Sequence, residues 1–296
     1  MSTPAQRLRS LLTAETGPLL LAGTPNALVA KVIEEQGFDA LYVSGAGISN
    51  TFLGAPDVGL LSVTEITAHV ATIAEAVEIP VVVDADTGFG NAINVRRTVR
   101  QLERAGAAAI QIEDQVAPKR CGHFEGKAVI STDEMRGKIR AAVDARMDED
   151  LVIVARTDAR AVYGMEEACD RANQYLEEGA DVLFVEAPRS LEEMRYITSN
   201  VPGLHMANMV EGGLTPILGR AQLKELGYAG VLYANSAMRA SVVAMRTVLA
   251  HLREHGDTRG LEDLMIDWND RQTLVGKDFY DELDRRYGVA RDAVAN

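Results

Sequence analysis

A chain of 296 residues, 47% hydrophobic and 25% charged, carries enough apolar material for one large globular domain or two small ones without a disulfide or structural metal. Its formal net charge of −13 argues against nucleic acid and against an anionic membrane surface, both of which need basic faces. It leaves room for a small acidic ligand, since a local cluster of Arg and Lys can bind one inside an acidic protein.

Two cysteines fit a reducing compartment. No signal-like apolar region follows the first residues, and Pro18 to Ala22 is too short to span a bilayer, so a cytoplasmic soluble protein is expected.

In chain order, eight short apolar runs are expected as strands: Leu19 to Ala22, Ala40 to Val43, Val81 to Asp84, Ala109 to Ile112, Leu151 to Ala155, Val182 to Val185, Leu204 to Ala207 and Val231 to Tyr233. The runs are near-continuous rather than alternating, as parallel strands covered on both faces should be. Helical periodicity fills the gaps: Leu28, Val29, Val32 and Ile33 make one apolar face, and Val95, Val99 and Leu102 another. Ser131-x-x-Glu134 and Ser190-x-x-Glu193 have the form of capping boxes. Gly37, Gly106, Gly179 and Gly227 each stand between a helix-like stretch and a strand, where a left-handed residue closes a helix.

Eight strand–helix units with no linker between them predict a closed (β/α)8 TIM barrel. An open doubly wound sheet is the alternative, but its Gly-x-Gly-x-x-Gly turn is absent. Residues 1–256 are assigned to the barrel and 257–296 to a C-terminal helical arm of the same domain, which packs on its own barrel or docks on a partner subunit.

Chemistry in such a barrel lives where strands end. That rim collects Tyr42 and Ser44-Gly45-Ala46-Gly47, then Asp84, Asp86, Glu113, Asp114, Arg156, Asp158, Glu186, Asn208, Glu211 and Asn235. Asp84 and Asp86 share one side of an extended chain and, with Glu113, form an all-oxygen site suited to Mg²⁺ or Mn²⁺ rather than zinc. The bland reading is acids that cap helices or face solvent. Arg156 can grip a carboxylate bidentately, or pair with Asp158 or Glu186. In Lys119-Arg120-Cys121-Gly122-His123, cations beside a cysteine favour thiolate, which can act as nucleophile or as base and acid. Cys169, in a helical run, reads as structural, as do His69, His205, His251 and His255. No zinc spacing, Walker motif or Ser-His-Asp order is present.

Together, Tyr42-Val-Ser-Gly45, Leu53-Gly-Ala-Pro-Asp57, Asp84-Ala-Asp-Thr-Gly-Phe-Gly90, Glu113-Asp-Gln115, Lys119-Arg-Cys-Gly-His123, Ala155-Arg-Thr-Asp158, Glu186-Ala187 and Ala207-Asn-Met-Val-Glu-Gly-Gly213 resemble the isocitrate lyase/phosphoenolpyruvate mutase superfamily over nearly the whole chain. The resemblance implies that Asp84 binds Mg²⁺ directly and that Asp86 and Glu113 hold it through water. It implies that Ser44, Gly45 and Ala46 seat the keto or aldehyde fragment opposite Arg156, that Asp57 steadies the site, and that Glu186 and Asn208 contact the second fragment.

The Lys119 to His123 segment is similar to the gate of the carbon–carbon lyases, in which Cys121 protonates the departing carbanion; Tyr42 is the candidate base. The implied reaction is cleavage of a 2-hydroxy di- or tricarboxylate such as 2-methylisocitrate or 2,3-dimethylmalate. The implied assembly is a helix-swapped dimer paired into a homotetramer. Tyr42 and the cysteine loop resemble methylisocitrate lyases. Phe124 to Lys127 and Asn208 to Gly213 resemble the branch of 2,3-dimethylmalate lyase, oxaloacetate hydrolase and carboxyphosphonoenolpyruvate mutase. Asn235 resembles phosphonopyruvate hydrolases, so a phosphorus–carbon bond enzyme is the alternative, and a non-catalytic carboxylate binder a third.

Overall fold

The structure, a computed structural model, describes residues 2–120, 122 and 126–288. Two compact units make it up, Met1–Met238 and Arg239–Asn296.

In the first unit eight parallel strands close into a barrel in sequence order, β1 pairing with β8. They are β1 (Leu19–Thr24), β2 (Ala40–Val43), β3 (Val81–Asp84), β4 (Ala107–Glu113), β5 (Val152–Thr157), β6 (Val182–Val185), β7 (Leu204–Asn208) and β8 (Gly230–Tyr233). The expected barrel is therefore the observed fold, and the apolar runs mark its strands to within two residues at either end.

Alternation sorts each strand into two layers. Leu21, Val82, Ala109, Val154, Phe184, Met206 and Leu232 fill the barrel interior, with Leu8 and Leu12 of the helix Pro4–Leu12 in the same cluster. Val81, Val83, Ile110, Ile112, Ile153 and Leu183 pack outward on helices through Ile66, Val70, Val95, Val99, Ile139 and Tyr175. Burying both faces explains why the strands lack a polar alternation. The four glycines after helices all take positive φ, between 78° and 100°.

Two local expectations need correction. In the helix Ala27–Glu35 the buried positions are Ala30 and Ile33, while Leu28 and Val32 are exposed. Apolar residues surround more than half of this helix, so periodicity alone does not choose a face. Ser131 and Ser190 cap their helices by accepting from the Glu134 and Glu193 N–H groups, but neither box is closed reciprocally. Glu193 instead binds Arg160 at 2.6 and 3.1 Å and the Arg189 N–H, because a charged donor outcompetes a neutral one.

The second unit holds most of the helix Ser236–His255, together with Trp268–Leu274 and Lys277–Tyr287. Among its described residues none is buried: Val243, Met245, Leu249, Trp268, Phe279 and Tyr280 are all exposed. Among the described residues, no helix is long and apolar enough to cross a membrane.

Candidate active site

At the C-terminal mouth of the barrel, Tyr42, Ser44, Ala46, Asp57, Asp84, Lys119, Arg120, Gly122, Arg156, Glu186, Asn208 and Asn235 line one cavity of about 70 Å³. The ends of β2, β3, β5, β7 and β8 contribute Tyr42, Asp84, Arg156, Asn208 and Leu232 to its wall, and Glu186 follows β6 directly. The sequence-derived residues thus converge. Gly45, Asp86 and Glu113 lie immediately beside the cavity, whereas Cys121 and His123 fall outside the described residues.

The carboxylates are packed closer than their donors can satisfy. Asp84 Oδ1 accepts the Asp86 N–H at 3.1 Å, and Asp86 holds a left-handed φ of 46°. Lys119 Nζ bridges Asp57 Oδ1 at 2.6 Å and Asp86 Oδ1 at 2.9 Å. Asp86 Oδ1 has only this ion-pair contact with Lys119, while buried Glu113 Oε1 and Asn208 Oδ1 have no hydrogen-bond donor. Gln111, on the same face two residues before Glu113, buries both amide atoms unpaired, so the donor-poor zone reaches one layer down.

Burial raises Asp86 to about 7, with Asp84 and Asp57 adding to the rise and Lys119 opposing it. Burial also lifts Glu113 well above the usual carboxylate range, against the pull of Arg156. Lys119 is desolvated as well, but Asp86, Asp84, Glu113 and Asp57 together hold its ammonium well above the ordinary lysine range.

Gly45 allows this crowding: a Cβ there would lie 3.2 Å from Asp86 Oδ1 and 3.3 Å from Asp84 Oδ2. Buried carboxylate oxygens without donors are the chemistry of a hard-cation site. Among the described residues no three His, Cys, Asp or Glu side chains are arranged to ligate an ion by themselves. The donor set fits an ion bound by few protein oxygens and completed by water or substrate, as magnesium commonly is.

Arg156 makes the internal ion pairs expected of it. It lines the cavity, and its guanidinium reaches Asp158 at 2.9 and 3.2 Å, Glu113 at 3.2 Å and Glu186 at 3.5 Å, over the Phe184 ring at 5.2 Å. Asn208 Nδ2 stands 3.4 Å from both Glu186 oxygens. Ser44 Oγ donates to Asn235 Oδ1 at 3.3 Å and accepts the Gly47 N–H at 3.1 Å. Tyr42 is fully enclosed. Burial, then Asp84, Glu113 and Asp86, push its hydroxyl well above the ordinary tyrosine range, while Arg156 opposes them.

Asp114, grouped with Glu113 from sequence, faces the other way and belongs to no cavity wall. It accepts from Thr157 Oγ1, the Asp158 N–H, Arg171 Nη1 and Tyr175 OH at 2.7, 2.9, 3.2 and 2.9 Å. Sequence reading missed the apolar wall of Val210, Leu232 and Ala234. Leu232 has the inward parity of β8, which is a usable signal; Val210 and Ala234 keep the parity of Asn208 and Leu232 but lie past the strand ends.

Residues 8–253 match the phosphoenolpyruvate phosphomutase family. The chain is 45% identical to 2,3-dimethylmalate lyase of Eubacterium barkeri over 97% of its own length and 99% of the relative's. It is 47% identical to 2-methylisocitrate lyase of Aeropyrum pernix over 96% of this chain and 91% of that one. A phosphonopyruvate hydrolase solved with oxalate and Mg²⁺ superposes with a TM-score of 0.87 at 34% identity, covering 97% of this chain and 99% of the other. With its closed barrel and its carboxylate-lined mouth, the chain belongs to the phosphoenolpyruvate mutase/isocitrate lyase superfamily.

Proposed function

We propose that the protein is a Mg²⁺-dependent carbon–carbon lyase that cleaves a 2-hydroxy dicarboxylate or tricarboxylate of the 2,3-dimethylmalate or 2-methylisocitrate type into a keto acid and a second carboxylate. The observation that carries this reading is the crowding of the Asp86 and Glu113 carboxylates, Glu113 with a buried donorless oxygen, beside the cavity that Asp84, Arg156 and Tyr42 line. The names of the two relatives support the substrate class.

Asp84 would hold the cation directly, and Asp86 and Glu113 through water; Mn²⁺ suits the same oxygens. When bound, the cation supplies Lewis-acid polarisation of the substrate's oxygens. Ser44, Gly45 and Ala46 seat the carboxylate and carbonyl of the keto fragment, with Arg156 opposite, while Glu186 and Asn208 meet the second fragment.

Tyr42 takes the substrate hydroxyl proton as that oxygen becomes the new carbonyl. The carbon–carbon bonding pair leaves with the second fragment, and the Cys121 thiol returns a proton to it. Burial is the first cause of the rise in Tyr42 and the carboxylates only add to it, so a cation that neutralises them would bring the hydroxyl part of the way towards the phenolate that the base role requires. Lys119 keeps Asp57 and Asp86 in place, and Arg120 and His123 add positive charge around the departing fragment.

The apolar side chains exposed in the second unit support helix exchange between subunits and a homotetramer, which light scattering would register. Cysteine usage and net charge support a cytoplasmic setting.

The test is a panel of these acids with Mg²⁺, scored by pyruvate or glyoxylate release. Turnover abolished by EDTA and by Cys121→Ser is expected. Absence of turnover on every acid would overturn the reading. The Ser44–Asn235 pair, in the cavity wall, favours a second reading as a phosphorus–carbon bond enzyme. Phosphorus NMR on phosphonopyruvate and carboxyphosphonoenolpyruvate decides it, unchanged spectra removing it.

A further inference from the structure

Lys127 closes the Phe124 to Lys127 stretch, and neither the resemblance nor the reaction outlined above gives it a role. Its side chain is only 2% exposed, and its ammonium has two partners: Asp158 Oδ1 at 2.8 Å and the Gly122 carbonyl oxygen at 2.5 Å. A lysine is buried this deeply only where its charge is met, since an unpaired ammonium in a protein interior is costly.

Asp158 is itself completely buried and is shared between two cations, Lys127 and Arg156. Burial acts to raise its carboxyl, but Arg156 and Lys127 more than reverse this and bring it down to about 2. Its own N–H is tied to Asp114 Oδ1, so the anchor belongs to the rigid wall of β4 and β5.

Gly122 supplies the other partner of this lysine. A Cβ at Gly122 would fall 2.4 Å from Arg156 Nη2 and 2.8 Å from Glu186 Cγ and Cδ, so its backbone rests directly on two cavity residues. One carboxylate therefore orients both the guanidinium in the cavity wall and the ammonium that holds the Gly122 backbone beside it.

We propose that Lys127 is a positioning residue: it docks the Gly122 backbone onto Arg156 and Glu186, using Asp158 as the anchor it shares with Arg156. The cover of the cavity and the group that grips the substrate carboxylate are then registered by a single side chain. Charge-assisted bonds of this kind are stronger than neutral ones, and a small misplacement of such a cover has large kinetic consequences. The kinetic part of the inference rests on the lyase reading.

The experiment compares wild type, Lys127→Met and Lys127→Arg in the full chain by two readouts. The first is kcat and KM on the best acid of the panel. The second is hydrogen–deuterium exchange over residues 115–128 with Mg²⁺ and oxalate present. Lys127→Met is expected to lower kcat roughly 10–100-fold with a smaller change in KM, as loss of an orienting partner does. It is also expected to speed exchange in that stretch alone, with Lys127→Arg restoring most of both.

Wild-type values for kcat and exchange in Lys127→Met would overturn the assignment. So would faster exchange throughout the barrel with a matching loss of thermal stability, the mark of a merely structural lysine. If wild type turns over none of the acids, the lyase reading falls, while the exchange comparison still decides the role of Lys127. Should Lys127→Met not fold, Lys127→Gln carries the same readouts with the charge removed.

Discussion

Glu113 and Asp114 are neighbours at the end of β4, equally buried and opposite in circumstance. Strand alternation turns Glu113 into the barrel mouth, where one of its oxygens has no donor. Asp114 turns outward into the helix layer, where four donors converge on it. Burial raises both carboxyls, so ionisation behaviour does not separate them. Hydrogen-bond satisfaction does. A fully satisfied buried acid fixes structure, and an under-satisfied one stores a requirement that a ligand can meet. Left-handed backbone tells the same story. Of the three non-glycine residues with positive φ among the described residues, Asp86 belongs to the mouth and Ala187 directly follows Glu186.

The largest effect that would break this contrast belongs to Asp114→Ala. It leaves the Tyr175 and Thr157 hydroxyls and the Asp158 N–H without this acceptor, and the Arg171 guanidinium with only Glu167 and the Ile130 carbonyl. Removing one partner from a buried pair costs about 3–5 kcal/mol. For a domain of this size that lowers Tm by roughly 10 °C, which differential scanning calorimetry would show. A change under about 2 °C would mean the network is dispensable and the contrast empty.

Glu113→Gln should act in the opposite sense. A carboxyl held above its ordinary range opposes folding when ionised at neutral pH, so a neutral isostere relieves the cost. Tm in EDTA should hold or rise, while kcat/KM falls roughly 10–100-fold, as loss of one metal-orienting group does. A fall in Tm matching that of Asp114→Ala would place Glu113 in the scaffold instead.

Which parts were legible in sequence follows from the same alternation. The barrel was readable because strands buried on both faces leave continuous apolar runs, and because closing glycines punctuate the helices. Asp84, Asp86, Arg156 and Glu186 were readable because polar residues ending such runs have nowhere to go but the mouth. The opposed facing of Glu113 and Asp114 was available from parity, yet adjacency in the motif grouped them. Lys127 was not readable: a lysine after a charged loop resembles a solvated one until Asp158 and Gly122 are placed beside it. The outward turn of Leu28 and Val32 was hidden by apolar residues on several sides of one helix.

The smallest test sharpens the contrast on the structural side, at Cys169. This thiol lies buried in the layer between barrel and helices, and burial, with Asp170 adding, pushes it up to about 11. The ordinary thiol value is about 8.5, so the folded state binds the proton more tightly than the unfolded chain. The stability this gives is complete below about pH 8.5 and is lost as pH rises through about 11. Cys169→Ala should therefore be less stable than wild type at pH 7, by about 1 kcal/mol for the small cavity left. That deficit should shrink as pH climbs from 9 towards 11, because only the wild type has a thiol to ionise. Urea midpoints at pH 7 and pH 10 measure it. Midpoints that stay equally far apart at both would show that the Cys169 thiol meets no such penalty, and that its layer admits water as the mouth does.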